Sequence, residues 1–247
     1  MHKKNNIGLS VFLLLFVAFF LVMPFVSSCG KAGTVNPSTL NIQYQIINLS
    51  PDLGSVDLYI NFIKVNQTSY FYPTSSGYFF LTSTNIPFQI RPGTTITAGT
   101  SAPSFNIFNL NNILKPNLNY TLMITGFKSS SSSDSLNKIF TTDTSSAPTI
   151  GRGKIRFVNA SPRSTGFDVT ANGTIAFPSV KYLGVSNFIE LPAGTYDFQI
   201  FPTKSSALIK DIPNVTLQDG RLYTLYCYGL VGNTDSLAFG SGFITNK

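Results

Sequence analysis

Residues 157–162 read FVNASP, and this stretch decides the fold because it occurs in a looser form earlier in the chain. The earlier copy is INLSP at residues 47–51, and corresponding residues of the two copies lie 111 positions apart. Each copy continues into a strand-like segment that ends in asparagine, at residues 56–61 and 167–172. A period of this length is domain-sized and too long for a solenoid unit. The sequence therefore predicts two tandem domains of one fold.

Polar residues alternate with apolar or aromatic ones within each copy. Residues 154–158 (KIRFV), 197–201 (DFQIF) and 222–226 (LYTLY) show this period of two, which is typical of strands that place one face on a core. Turns at 172–173 (NG) and 219–220 (DG) separate such segments, since Gly and Asn tolerate positive φ. About seven short strands per roughly 100 residues predict an all-β fold of two tandem immunoglobulin-like β-sandwich domains.

The domain limits follow from the repeat and from changes in composition. Residues 1–28 are expected to be a signal peptide, and residues 29–39 a flexible tether. A divergent β-sandwich domain is expected over residues 40–145, and a second β-sandwich domain over residues 153–247. We place the boundary within residues 144–153, where Ser, Ala, Pro and Gly cluster.

The N-terminus resembles a bacterial lipoprotein signal peptide. A basic start precedes an apolar run over residues 11–26, and two small residues lead from it to Cys29. The resemblance implies that Cys29 is acylated and anchors the protein in the cell envelope, with the outer membrane expected. Residues 30–33 contain no acid, which favours the periplasmic face. The alternatives are soluble secretion and an uncleaved transmembrane anchor, which needs about 20 apolar residues.

Composition excludes several classes of function. The 17 Lys and Arg residues and 10 Asp and Glu residues give a net charge of +7, but the basic residues never form a run, so nucleic acid is not an expected partner. The one histidine is His2, inside the signal peptide, which excludes a histidine base or a histidine metal site. No cofactor is expected. Cys227 has no disulfide partner once Cys29 is acylated, and its alternating context predicts a buried strand residue.

The second copy resembles a known family. FVNASP at 157–162, FDV at 167–169, LPAGTY at 191–196 and GRLYT at 220–224 are similar to the uncharacterised extracellular family catalogued as domain of unknown function 4397. The first copy diverges, because LTSTNI at 81–86 replaces the LPAGTY turn. The resemblance implies an exported bacterial protein, often a tandem lipoprotein, without known catalytic residues. The Asn-, Ser- and Phe-rich style further resembles lipoproteins of the Bacteroidota.

The polar residues shared by the two copies have two interpretations. Short polar side chains at strand ends commonly bond to nearby backbone amides, which predicts turn architecture. The alternative is a calcium site that pairs Asp168 with Asn159, or Asp52 with Asp57. Calcium takes about six to eight oxygen ligands, so one or two carboxylates per copy are too few, and no metal site is predicted.

Two aromatic clusters also have two interpretations. Residues 70–72 (YFY) and 78–80 (YFF) are either core and edge-strand residues in a chain without tryptophan, or a platform on which sugar rings or a protein partner stack. The expected function is therefore a non-catalytic, membrane-anchored lipoprotein that binds or scaffolds protein or glycan. The alternative is a carboxylate-dependent glycoside hydrolase, which requires two acids across a cleft. The scarcity of paired carboxylates favours a protein that is not an enzyme.

One recurrence suggests a modification. Asp134-Ser135-Leu136 and Asp235-Ser236-Leu237 are expected to occupy matching places after the penultimate strand of each copy. They resemble the Asp-Ser/Thr-apolar sites at which Bacteroidota O-glycosylate exported proteins, so Ser135 and Ser236 are the expected acceptors. A hairpin turn explains the same residues without modification. An intact mass equal to that of the lipidated polypeptide alone would exclude glycosylation.

Overall fold

The structure, a computed structural model, describes residues 40–85, 87–93, 105–111 and 113–246. The predicted signal peptide, the tether and Cys29 lie outside these residues. The secondary-structure elements of the described residues are all β-strands. None of these residues forms a helix long and apolar enough to cross a membrane. The first copy contributes β1 (Gln43–Asn48), β2 (Val56–Ile60), β3 (Ile63–Lys64), β4 (Phe79–Phe80), β5 (Phe88–Pro92), β6 (Phe108–Leu110), β7 (Asn119–Thr125) and β8 (Asn137–Thr142).

The second copy repeats this order with longer strands at one edge. Its strands are β9 (Arg152–Asn159), β10 (Phe167–Ala171), β11 (Thr174–Val180), β12 (Ile189–Pro192), β13 (Gly194–Pro202), β14 (Lys210–Leu217), β15 (Leu222–Tyr228) and β16 (Gly240–Thr245). The connection between β8 and β9 covers residues 143–151. Strand β9 thus begins one residue before the expected start of the second domain.

Each copy is a sandwich of two four-stranded sheets. The first sandwich has the strand orders β4-β1-β7-β8 and β3-β2-β5-β6, and the second has β12-β9-β15-β16 and β11-β10-β13-β14. The predicted all-β fold of two tandem β-sandwiches is confirmed. The first strand of each copy pairs in parallel with the seventh, while the second strand lies in the opposite sheet. In the constant-type immunoglobulin order, by contrast, the first two strands are neighbours.

A tyrosine near the start of the seventh strand fixes each core in the same way. Tyr120 stacks on Phe140 with ring centroids 5.4 Å apart, and Tyr223 stacks on Phe243 at 5.1 Å. Each hydroxyl accepts a hydrogen bond from a backbone N–H five residues upstream, at 2.8 Å and 3.0 Å respectively. This arrangement resembles the tyrosine corner of immunoglobulin-like sandwiches. Tyr223 is 3% exposed, which confirms that its ring is in the core.

The two sandwiches pack against each other through one sheet of each. Ile47, Leu49, Met123 and Ile139 form a buried cluster with residues of the second sandwich, namely Val158, Ala160, Tyr226 and Ile244. We call the two contributing sheets, β4-β1-β7-β8 and β12-β9-β15-β16, the interface sheets. Their central strands are therefore buried on both faces. The alternating pattern predicted that each strand has one buried face. This prediction was incomplete for the interface sheets, because the other sandwich covers their second face.

Candidate functional site

The polar residues shared by the copies close the turn between the first two strands. The side-chain nitrogen of Asn48 donates to the carbonyls of Gly54 and Tyr70 at 2.7 Å and 3.1 Å. The Ser50 hydroxyl donates to the Gly126 carbonyl at 2.7 Å. In the second copy, the Ser161 hydroxyl makes the same bond to the Gly229 carbonyl at 2.6 Å. These contacts agree with the turn interpretation.

The aspartates considered for calcium accept hydrogen bonds from the backbone instead. Asp168 accepts from the N–H groups of Ser179 at 2.7 Å and Lys204 at 2.9 Å. Asp52 accepts from the N–H groups of Lys128 and Ser129 at 2.8 Å and 2.9 Å. Burial opposes ionisation of Asp52, but these hydrogen bonds outweigh it and lower its pKa. No cluster of three or more potential metal-binding His, Cys, Asp or Glu residues occurs in the described part of the chain.

The two Asp-Ser-Leu triplets do not occupy equivalent positions. Ser135 forms an isolated bridge with Phe127, and the corresponding bridge in the second sandwich joins Leu230 to Ala238. The structural equivalent of Ser135 is thus Ala238, two residues beyond Ser236. The expected match was wrong because the two loops have the same length and the same alignment to the following strand, and the triplets lie at different places within them. Ser236 is exposed and Ser135 is half-buried, and their glycosylation stays a prediction.

The aromatic clusters divide between two locations. Tyr72 packs edge-on against Tyr228 of the second sandwich at 6.0 Å, and Tyr78 lies in the contact between the sandwiches. Tyr70, Phe79 and Phe80 instead line a groove at one edge of the first sandwich. The six rings therefore do not form one platform.

The groove lies between the edge strands β3 and β4 and has a volume of about 760 Å³. Tyr70 and Phe79 pack against the first core from the groove floor, whereas Phe80 is 58% exposed. The lining is completed by aliphatic, amide and hydroxyl side chains: Ile60, Asn61, Ile63, Lys64, Val65, Asn66, Gln67, Thr68, Ser76, Thr82, Ser83 and Asn85.

The second sandwich closes the equivalent edge with a longer strand. There β11 pairs with β10 along its whole length, and Phe177, opposite Val169, is 2% exposed and stacks on Phe157 at 6.2 Å. In the first sandwich β3 has only two residues. The position that corresponds to Phe177, 111 residues earlier, holds Asn66, whose side-chain oxygen accepts a hydrogen bond from the Leu58 N–H at 2.8 Å. The groove exists because a polar, backbone-capping residue replaces a core phenylalanine.

The groove is electrically balanced. Lys64 forms an ion pair of 2.8 Å with the fully buried Asp57, and Asn66 donates a second hydrogen bond to that carboxylate at 2.8 Å. Burial, and then the charge of Asp57, raises the pKa of Tyr70 to about 12. Tyr70 is therefore a neutral hydroxyl at physiological pH. Lys64 is the one charged side chain among the described residues of the lining, and its charge is compensated.

An aromatic side chain is held in a strained turn beside the groove. The hairpin between β2 and β3 has positive φ at Asn61 (49°) and Phe62 (65°), and the equivalent hairpin of the second sandwich has Asn172 and Gly173. A bulky residue in the left-handed region is rare and strained, which points to a functional constraint. Phe62 is also 63% exposed, so packing does not compensate for the strain.

A buried polar network joins the sandwiches at the interface sheets. Arg156 is 4% exposed and forms an ion pair with the fully buried Asp143. The Arg156 side chain also donates to the Thr142 carbonyl at 3.0 Å and lies over the Phe188 ring at 4.7 Å. Tyr78 donates to Asp143 at 2.7 Å and accepts from Asn246 at 2.9 Å. Burial and the Asp143 charge raise the pKa of Tyr78.

Sequence reasoning missed both the groove and this network. Arg156 and Thr224 occupy alternating strand positions that point away from their own core, as do Gln45 and Thr121 in the first copy. Polar residues repeated at such matching positions were the available indication of a buried second face. Cys227 was predicted correctly: it is fully buried, and burial raises its thiol pKa.

These features define a tandem β-sandwich protein with a ligand-sized groove in its divergent copy. The chain belongs to the family described as Domain of unknown function (DUF4397), which matches residues 43–170 and 153–240. Among solved structures, the chain is similar to the C-terminal domain of AlgF from P. aeruginosa, with 14% identity and a TM-score of 0.27. That similarity covers 39% of this chain and 97% of that one. No curated protein matches the sequence.

Proposed function

We propose that this protein is a non-catalytic lipoprotein, anchored in the cell envelope through Cys29, that binds neutral glycan chains in the groove of its first sandwich. The observation that carries the proposal is the opening of the first sandwich where the second is closed by Phe177. A groove of about 760 Å³ falls within the roughly 300–1,000 Å³ of small-ligand sites.

The lining has the chemistry that a sugar requires. The apolar face of a sugar ring stacks on aromatic side chains, and Tyr70, Phe79 and Phe80 supply three of them. Sugar hydroxyls both donate and accept hydrogen bonds, as side-chain amides do. Asn61, Gln67 and Asn85 line the groove, and their side-chain amides have no hydrogen-bond partner within the described part of the chain.

A peptide added as an extra strand along β1 or β2 fits less well, because the edges of these strands beside the groove are already paired. On β2, the N–H and carbonyl of Val56 bond to Tyr70 at 3.0 Å and 2.9 Å, and the Leu58 carbonyl accepts from Val65 at 2.9 Å. On β1, Ile46 exchanges two hydrogen bonds of 2.9 Å with Ser76. Strand addition relies on unpaired main-chain groups.

A neutral ligand follows from the charge balance. The ion pair of Lys64 with Asp57 leaves the described lining of the groove without a free charge for an acidic or basic polymer. Hydrolysis needs two carboxyl groups flanking the scissile bond, and the described lining supplies none that faces the groove. We therefore propose binding rather than the glycoside hydrolase alternative.

The test is a panel of neutral, acidic and amino-sugar oligosaccharides, screened on an array and then titrated calorimetrically. We expect binding of neutral chains, weakened about tenfold or more by Phe80→Ala, which corresponds to roughly 1.4 kcal/mol of lost stacking. Ile175→Ala is the matched control, because Ile175 is 61% exposed at the equivalent edge of the second sandwich. Unchanged binding in Phe80→Ala, a preference for charged glycans, or competition by an envelope protein would overturn the proposal. Release of reducing sugar would support the hydrolase instead.

Anchoring is tested separately. We expect Cys29→Ala to abolish incorporation of a fatty-acid analogue and to release the protein from membranes without changing its melting temperature. Label that persists in the variant would contradict lipidation at Cys29.

A further inference from the structure

The two interface sheets carry equivalent side chains, and the strand registers show which correspond. Gln45 lies opposite Thr121 in the β1–β7 pair, and Arg156 lies opposite Thr224 in the β9–β15 pair. The N–H of Asp143 donates to the carbonyl of the first residue of β7 at 2.7 Å. The N–H of Asn246 makes the same bond to the first residue of β15, also at 2.7 Å. Arg156 thus corresponds to Gln45, and Asp143 to Asn246.

The charges on the two faces are different. The first sandwich presents the buried acid Asp143 with the neutral Gln45, whereas the second presents the buried base Arg156 with the neutral Asn246. Across the interface the acid meets the base in an ion pair. The remaining polar groups complete a satisfied network, because Thr141 donates to Asp143 at 2.7 Å and Thr224 donates to Asn246 at 2.7 Å.

We infer that these faces form a matched pair, so that a first-type sandwich accepts a second-type sandwich and rejects another copy of itself. Two second-type faces in the same arrangement would bury two Arg156 side chains without a carboxylate. Two first-type faces would bury two Asp143 side chains without a guanidinium. A buried charge that has lost its partner strongly disfavours an interface, and like charges are a common device for rejecting wrong partners.

The consequence concerns crowding at a membrane surface. The faces share a fold and an apolar cluster, and burial of apolar surface is not directional, so it does not by itself exclude pairing with a sandwich of an adjacent chain. The buried ion pair of Arg156 with Asp143 adds that distinction. It directs the sandwiches of the chain into unlike pairs and opposes association between like sandwiches of neighbouring chains.

The experiment uses the full chain with a protease site inserted between the exposed residues Ser146 and Ala147. The folded protein is cut, unfolded in urea, refolded and examined by native mass spectrometry. We expect pairs of one first and one second sandwich only. Arg156→Gln, which installs the residue of the sister copy, should allow pairs of two second sandwiches. Asp143→Asn should allow pairs of two first sandwiches beside the unlike pairs, but no pairs of two second sandwiches.

A control and a second measurement keep the inference testable. Arg163→Gln removes a second ion pair between the sandwiches, that with Asp134, and the pairing pattern should not change because the Arg163 side chain is 61% exposed. In the uncut chain, Arg156→Gln and Asp143→Asn should each lower the melting temperature, and the double variant should lose clearly less than the sum. Like pairs in the cut wild type, or single variants whose losses simply add in the uncut chain, would overturn the inference.

Discussion

The first and second sandwiches have the same strand order, yet one is open where the other is closed. The second sandwich fills its edge with the seven residues of β11 and buries Phe177 in the core. The first sandwich has two residues in β3, caps β2 with Asn66 and leaves an aromatic groove. The two copies therefore share one strand arrangement, and only the divergent copy departs from close packing at this edge. Departures from local packing rules are expected at functional sites.

The largest effect should appear where the two sandwiches are alike. Tyr223→Ala is expected to destabilise the protein by about 3–5 kcal/mol, because a buried aromatic ring leaves a cavity. Tyr120→Ala should have a similar effect, since it stacks and accepts a backbone hydrogen bond in the same way. Urea unfolding measures both. Tyr→Phe at either position should cost only about 0.5–1.5 kcal/mol, the value of one hydrogen bond. A large difference between Tyr120→Ala and Tyr223→Ala would contradict the shared role.

At the edge where the sandwiches differ, side-chain truncation should lower the free energy of unfolding by unequal amounts. Phe177→Ala is expected to cost about 3–5 kcal/mol, since it empties a core position. Asn66→Ala should cost about 1–3 kcal/mol, because it removes a cap from the Leu58 N–H and a donor from Asp57 without opening a cavity. Urea unfolding compares them, and equal costs would show that Asn66 has a core role.

Much of the frame could be predicted from the sequence. The alternation of polar and apolar residues predicts the strands, and the repeat predicts that the set of strands occurs twice, once in each sandwich. The groove could not be predicted, because it depends on whether a side chain distant in sequence fills the space beneath an edge. Asn66 looks like an ordinary loop residue until its bond to Leu58 is seen. The Asp-Ser-Leu triplets were matched wrongly because a short recurring motif does not show that its residues occupy the same place within two equivalent loops.

A smaller effect, of opposite sign, is expected at the hairpin beside the groove. Phe62→Gly should stabilise the protein by about 1 kcal/mol, because glycine adopts the left-handed conformation without strain. The same change should weaken glycan binding if the exposed ring of Phe62 contacts the ligand. Thermal unfolding and calorimetric titration measure the two effects. Gly173→Phe is the reciprocal change in the second sandwich and should destabilise it without altering binding.

The smallest effect concerns the shared core. Burial raises the pKa of the Cys227 thiol, so the unreactive neutral form persists through mildly alkaline pH. We expect Cys227 to resist alkylation by iodoacetamide at about pH 8 and to react once urea unfolds the protein. Mass spectrometry detects the adduct. Rapid labelling of the folded protein would contradict this expectation, because it would show that the reagent reaches the core of the second sandwich.

The most direct test of the difference between the sandwiches is an NMR titration of the folded protein with a neutral oligosaccharide. We expect backbone amide shifts to concentrate at residues 61–70 and 76–85 and to need about tenfold more oligosaccharide in Phe80→Ala, while the β11 edge of the second sandwich is unaffected. Shifts centred on the second sandwich, or no shifts with any neutral glycan, would contradict it.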